Sequence, residues 1–173
     1  MLLASFHSNA QYPYLKAKKM NERLWIYQSN RLLTDAECAR IADVLQEFVA
    51  QWTAHGNQLL GSFEIRHRLF ILLKVDESKA MVTGCSIDKS VHLLKKLESE
   101  FGISLFDRLQ VAFRDAYDML WVVHQDEFRK LVQAGEVHAG TIVYNNTVTA
   151  VADLADKWEI PLRESWHAKV FLG

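Results

Sequence analysis

Leu69-Phe70-Ile71-Leu72-Leu73-Lys74-Val75-Asp76 is the stretch whose reading decides the fold. It is apolar at nearly every position, so the strand it forms is expected to be covered on both faces and to lie in the middle of a sheet. Residues 59–67, just upstream, read as a second strand, with Arg66-His67-Arg68 as the tight connection. Asp76 to Gly84 is polar and ends in glycine, which marks a loop.

Two helices frame this pair. Thr34 with Glu37 three residues later is the reciprocal cap that satisfies free amides at a helix start. Ile41, Leu45, Phe48, Val49 and Trp52 then recur at helical spacing, and Gly56 is expected to end the helix. The second helix is expected over Ile87 to Phe101, with Ile87, Val91, Leu94 and Leu97 on one face and Gly102 at the exit. Residues 23–28 precede the first helix as a strand. Beyond the second, Leu109 to Arg114 and Met119 to His124 form a hairpin around Asp115 to Asp118. A short helix over Asp126 to Ala134, a strand over Thr141 to Tyr144, a helix over Val148 to Trp158 and a helical turn carrying Trp166 and His167 complete the chain.

The order is strand, helix, strand, strand, helix, strand, strand. It predicts an α+β fold: a largely antiparallel sheet with helices on one face, built on a split β-α-β (ferredoxin-like) core and extended by a further strand and C-terminal helices. With 173 residues, a single domain over 21–173 is expected, preceded by a basic arm over 1–20 that carries Lys16, Lys18 and Lys19. Met1 to Phe6 is too short an apolar run for a signal peptide, and no stretch reaches the length of a membrane span.

Twenty Lys and Arg against twenty-one Asp and Glu give a net charge of −1. That balance argues against nucleic acid and acidic membranes as partners. Two cysteines, Cys38 and Cys85, stand far apart with no Cys-x-x-Cys, which fits free thiols in a reducing compartment, the cytoplasm. No cofactor is implied, and no His or Cys pair has zinc-ligand spacing.

Gly56 and Gly61 stand at P-loop spacing, but Ser62 and Phe63 follow where Lys and then Ser or Thr are required. The segment also leaves a helix to enter a strand, the reverse of a P-loop. Leu24-Trp25-Ile26-Tyr27-Gln28-Ser29-Asn30-Arg31, Trp52-Thr53-Ala54-His55-Gly56, Val75-Asp76-Glu77-Ser78 and Gly84-Cys85-Ser86-Ile87-Asp88-Lys89-Ser90-Val91-His92 together resemble a bacterial family of small proteins that carry the label "ABC transporter ATPase". The resemblance covers residues 22–171 and implies ATP binding through the label alone, with no catalytic residue to carry over.

Gly84-Cys85-Ser86-Ile87-Asp88 opens the second helix, where free amides favour an anion or a thiolate. Cys85 is therefore the candidate nucleophile, and Ser86 or Asp88 the candidate cap. His92, four residues after Asp88, is expected to pair with that carboxylate on the helix surface. Asp76, Glu77 and Asp88 are placed to converge on a cation such as magnesium or calcium. The leading expectation is a non-catalytic domain that acts through a protein partner or self-association. Its contact or ligand site is formed by Asp76, Glu77, Gly84, Cys85, Ser86 and Asp88. A small enzyme using Cys85 or the carboxylates is the alternative, and ATP binding the third reading.

Overall fold

The computed structural model describes residues 22–173, and the basic arm expected over 1–20 lies outside them. The chain forms β1 (Glu22–Gln28), α1 (Asp35–Gln51), β2 (Thr53–Ala54), β3 (Asn57–Gln58), β4 (Leu60–Arg66) and β5 (Phe70–Asp76). There follow α2 (Gly84–Phe101), β6 (Gln110–Arg114), β7 (Leu120–His124), α3 (Gln125–Gln133) and β8 (Ile142–Tyr144). Last come α4 (Leu154–Lys157), β9 (Glu159–Pro161) and α5 (Ala168–Phe171).

The antiparallel α+β class is as the sequence implies, but the strands divide between two main sheets. One has the order β1-β5-β4 and the other β7-β6-β8-β9, with every named pairing antiparallel. In the first sheet β5 lies between β1 and β4 and runs antiparallel to both, so β1 and β4, joined through α1, are parallel with one strand between them, the order of a split β-α-β unit. The strand that follows α2, β6, pairs with β7 and β8 in the second sheet and not beside β1, so a four-stranded ferredoxin-like sheet is not completed among the described residues.

Alternation along β1 and β5 explains the layering. Trp25, Tyr27, Ile71 and Leu73 face α1 and α2, where Ile41, Leu45, Leu94 and Leu97 close the core. Leu24, Ile26, Phe70 and Leu72 face the other way, onto Ala112, Tyr144, Leu154 and Trp158 of the second half. The far side of the second sheet packs Val111, Phe113 and Val143 under Phe128 of α3 and Phe171 of α5. The layers therefore run helices, sheet, sheet, helices. Phe70, Ile71, Leu72 and Leu73 are fully buried, and each such side chain stabilises the fold by roughly 1.5–3 kcal/mol relative to exposure.

Three local expectations change. Thr34 and Glu37 form the reciprocal cap of α1, but the helix stops at Gln51. His55 and Gly56, both at positive φ, turn the small β2–β3 hairpin instead of ending a helix. Thr83, not Ser86 or Asp88, caps α2, and the helix begins at Gly84. The expected helix over 148–158 shrinks to a short turn and α4, because Ala150 bridges Arg23 of β1 and residues 159–161 join β8 as a strand.

Charged groups clamp the two sheets at one end. Glu64 binds Arg66 and, at 2.6 Å, Lys74, while the Arg66 guanidinium lies over the Trp158 ring. Glu159 accepts from His67 at 3.0 Å and pairs with Arg114 at 3.5 Å.

Candidate functional site

The residues singled out around α2 do not assemble into one site. Asp76 accepts from the Ser78 amide at 2.9 Å, and Glu77 accepts from the Val82 amide at 3.1 Å. Both thus hold the connecting loop. Ser86 is buried; its hydroxyl donates to the Thr83 carbonyl, and its own carbonyl accepts the Trp52 indole N–H at 2.8 Å. Gly84 is the first residue of α2, with open space around it. Cys85 and Asp88 face outward onto a shallow groove with Phe48 and His92. His92 bonds the Asp88 carbonyl at 2.9 Å instead of its carboxylate. Among the described residues no three His, Cys, Asp or Glu side chains come together in a way that could hold a metal ion, so the expected convergence of Asp76, Glu77 and Asp88 is not formed.

The two glycines at P-loop spacing have other tasks. Gly56 turns a hairpin at φ +80°, and a Cβ on Gly61 would stand 3.0 Å from the buried Trp52 ring. Residues 60–66 form a strand, so no loop opens onto a helix there.

A different place gathers buried polar groups. A cavity of about 420 Å³ lies along the outer edge of β1, within the size range of small-ligand sites. Its walls are Leu24 to Gln28, the loop Leu105 to Arg108, Gln110, the turn Asn146 to Thr149, Tyr144, and Trp166 with His167. The loop wall is fixed by Glu98 of α2, which accepts from the Leu105 amide at 2.6 Å and from the Phe106 amide at 3.3 Å. Burial alone would raise the Glu98 pKa, but these amides and Lys95 outweigh it and lower the value.

Among the described residues no strand pairs with the edge of β1 along the cavity. Leu24 donates its amide to Thr149 at 2.8 Å, away from β5, while Ser29 donates to Leu69 at the end of β5. Strand alternation therefore turns the Ile26 N–H and C=O outward, the same way as those of Leu24. The edge is occupied beside Leu24 by Thr149 and, past Gln28, by Ser104, which accepts from Asn30.

A directed hydrogen-bond chain lines the floor. The Trp158 indole can only donate, and it donates to Asn146 Oδ1 at 3.0 Å. This orients the Asn146 amide to donate to Gln28 Oε1 at 2.7 Å, and Gln28 then donates to the Gln110 carbonyl. The Gln110 side chain donates to Asp107, and this bond, with the Leu109 amide, holds the Asp107 carboxyl below its usual range. The floor is built of neutral amides and ends at one carboxylate, Asp107, which is already partnered.

His167 is 3 % exposed, and burial lowers its pKa from 6.5 to about 4, so the ring is neutral at neutral pH. Its Nδ1 lies 2.7 Å from the Ser165 hydroxyl. That nitrogen is the one acceptor the buried hydroxyl has among the described residues, so Ser165 donates and Nε2 carries the ring proton. Nε2–H has no described partner, and Trp166 stacks on the ring at 3.8 Å. Tyr144 is 2 % exposed; burial raises its pKa, Glu159 adds to the rise, and its hydroxyl makes no well-formed hydrogen bond among the described residues.

No protein-family model, curated protein or solved structure matches this chain. The site therefore stands on its own geometry. Gln28, Gln110 and Asn146, which lie far apart along the chain, carry no signal of a site in the sequence read locally. Strand alternation supplies the one exception: Gln28 continues the Leu24 and Ile26 face of β1, a polar residue on a stripe that is otherwise apolar.

Proposed function

We propose that the chain is a non-catalytic binding domain that takes a short extended peptide segment of a protein partner in the cavity beside β1. The observation that carries this reading is the outward-facing Ile26 backbone next to a cavity whose wall holds the neutral ring of His167, its Nε2–H without a partner among the described residues. An extended segment supplies the matching carbonyl and amide for Ile26, as in strand addition. Leu24, Ile26 and Val148 give an apolar wall for one of its side chains, and Trp166 at the rim gives a flat surface. Beside Arg108 and the already partnered Asp107, the cavity offers neutral hydrogen-bonding groups from Gln28, Asn146 and His167, which suit a peptide backbone. This moves the binding site from the loop before α2 to the β1 edge and keeps a protein as partner.

The test is a titration of the ¹⁵N-labelled protein with N-acetyl tripeptide methylamides carrying leucine, valine or phenylalanine. Shifts centred on Ile26, Val148 and His167 support the reading; shifts confined to residues 84–88, or none with any peptide, contradict it. Ile26→Pro removes an outward N–H and no bond to β5, so it should abolish binding while leaving the sheet intact.

A further inference from the structure

The two main sheets present four edges, and three of them are part-covered and recessed, charged, or short among the described residues. β1 is covered at Leu24 by Thr149 and recessed over the cavity for the rest. β4 carries Glu64 and Arg66, and β9 is three residues long and ends in Pro161. The fourth edge, β7, is unlike these. Met119-Leu120-Trp121-Val122-Val123 contains no charge, no proline and no bulge against β6. Large apolar side chains crowd the same place: Tyr117 is 87 % exposed, Met119 60 % and Trp121 52 %. Asp115 fixes this group, accepting the Trp121 indole N–H at 2.8 Å and the Tyr117 and Met119 amides.

The register of β7 specifies what fits it. Asp115 donates to the Met119 carbonyl, and Gln125 donates to the Leu109 carbonyl, so the odd-numbered residues of β7 bond β6. Leu120, Val122 and His124 therefore turn their N–H and C=O groups outward. This set is symmetric about Val122.

We infer that β7 is a self-association edge, and that a second copy of this chain pairs with it antiparallel about a two-fold axis at Val122. Val122 exchanges both backbone hydrogen bonds with its own counterpart, and Leu120 does the same with His124 of the second copy. Trp121 then lies opposite Val123 of the second copy and leaves solvent. The two four-stranded sheets become one continuous sheet, and the unguarded edges vanish together. Self-complementarity favours a second copy over an unrelated strand, because the one outward-facing pattern satisfies both sides at once.

Sedimentation velocity of the full chain at micromolar concentrations tests this. The wild type should sediment as a dimer. Trp121→Lys, an exposed position where a charge guards the edge, and Val122→Pro, which deletes one outward N–H without touching β6, should both sediment as monomers with unchanged circular dichroism. Amide exchange gives an independent readout, with Val122 protected in the dimer and exposed in Trp121→Lys. A monomeric wild type, or variants that remain dimeric, would overturn the proposal. So would a monomer whose Val122 amide is protected, since the edge would then be covered without a second copy.

Discussion

Ser165 and His167 meet at 2.7 Å between hydroxyl and Nδ1, both buried, on the short turn that leads into α5. The two residues stand two positions apart in a local turn, yet their bond sets the chemistry of one wall of a cavity that β1 also lines. It holds one tautomer of a neutral imidazole and leaves its other nitrogen as a donor. A neutral histidine so placed ties the binding site to pH.

The folded pKa of His167 is depressed to about 4 from 6.5 by burial. Between these values the unfolded chain holds a proton that the native chain excludes, so stability falls as pH drops from about 6.5 towards 4. The loss from this group is roughly 2–3 kcal/mol at the acid end. Urea unfolding across that range should show it, and His167→Asn should flatten the slope. An unchanged slope in the variant would contradict a buried neutral ring.

The β4–β5 turn carries two successive non-glycine residues at positive φ, His67 at 55° and Arg68 at 52°. A left-handed residue other than glycine costs about 1–2 kcal/mol. Arg68 recovers little, since its ion pair with Asp35 is exposed. Arg68→Gly should therefore raise stability by about 1 kcal/mol. His67→Gly should lower it, because His67 packs on Tyr144 and Trp158 and bonds Glu159. Thermal unfolding of the two variants should move in opposite directions.

Gly61 touches Trp52, which is buried and donates to Ser86. Gly61→Ala should cost about 1–3 kcal/mol by forcing that ring to shift. The same substitution should leave any response to ATP in a melting assay unaltered, because the glycine serves packing. A nucleotide-dependent melting shift in the wild type that Gly61→Ala abolishes would restore the triphosphate reading.

Cys85 is exposed, while Cys38 is half-buried and burial raises its thiol pKa. Iodoacetamide should label Cys85 well before Cys38 through access alone. Cys85→Ser should keep full peptide binding at the β1 edge. Lost binding in that variant would return the site to the start of α2.

The sequence carried the parts of the fold that neighbours along the chain decide. Thr34 with Glu37 starts α1 as their spacing implies, and Leu69 to Val75 makes a central strand because its apolar run needs cover on both faces. What the run could not reveal is the nature of the second cover. Leu72 packs on Ala112, Tyr144 and Trp158, a second sheet contributed by the other half of the chain, where a helix would have satisfied the same pattern. Periodicity states that a face is buried and leaves its partner open. The site was hidden for the same reason. Asn146, Gln28 and Gln110 become one hydrogen-bond chain only after β1 and the β8 turn are brought side by side. The start of α2 drew attention through local chemistry, and its polar groups turned out to be spent on local structure, as Ser86 is in the cap of Thr83.

Amide hydrogen exchange at Ile26, followed by NMR with and without a bound N-acetyl tripeptide methylamide, tests the central claim most directly. The account expects Ile26 to exchange much faster than Trp25 and Tyr27 in the free protein, and to slow at least tenfold on binding while Ser86 to Asp88 stay unchanged. An Ile26 amide already as protected as its neighbours, or protection gained at Ser86 to Asp88 instead, would contradict it.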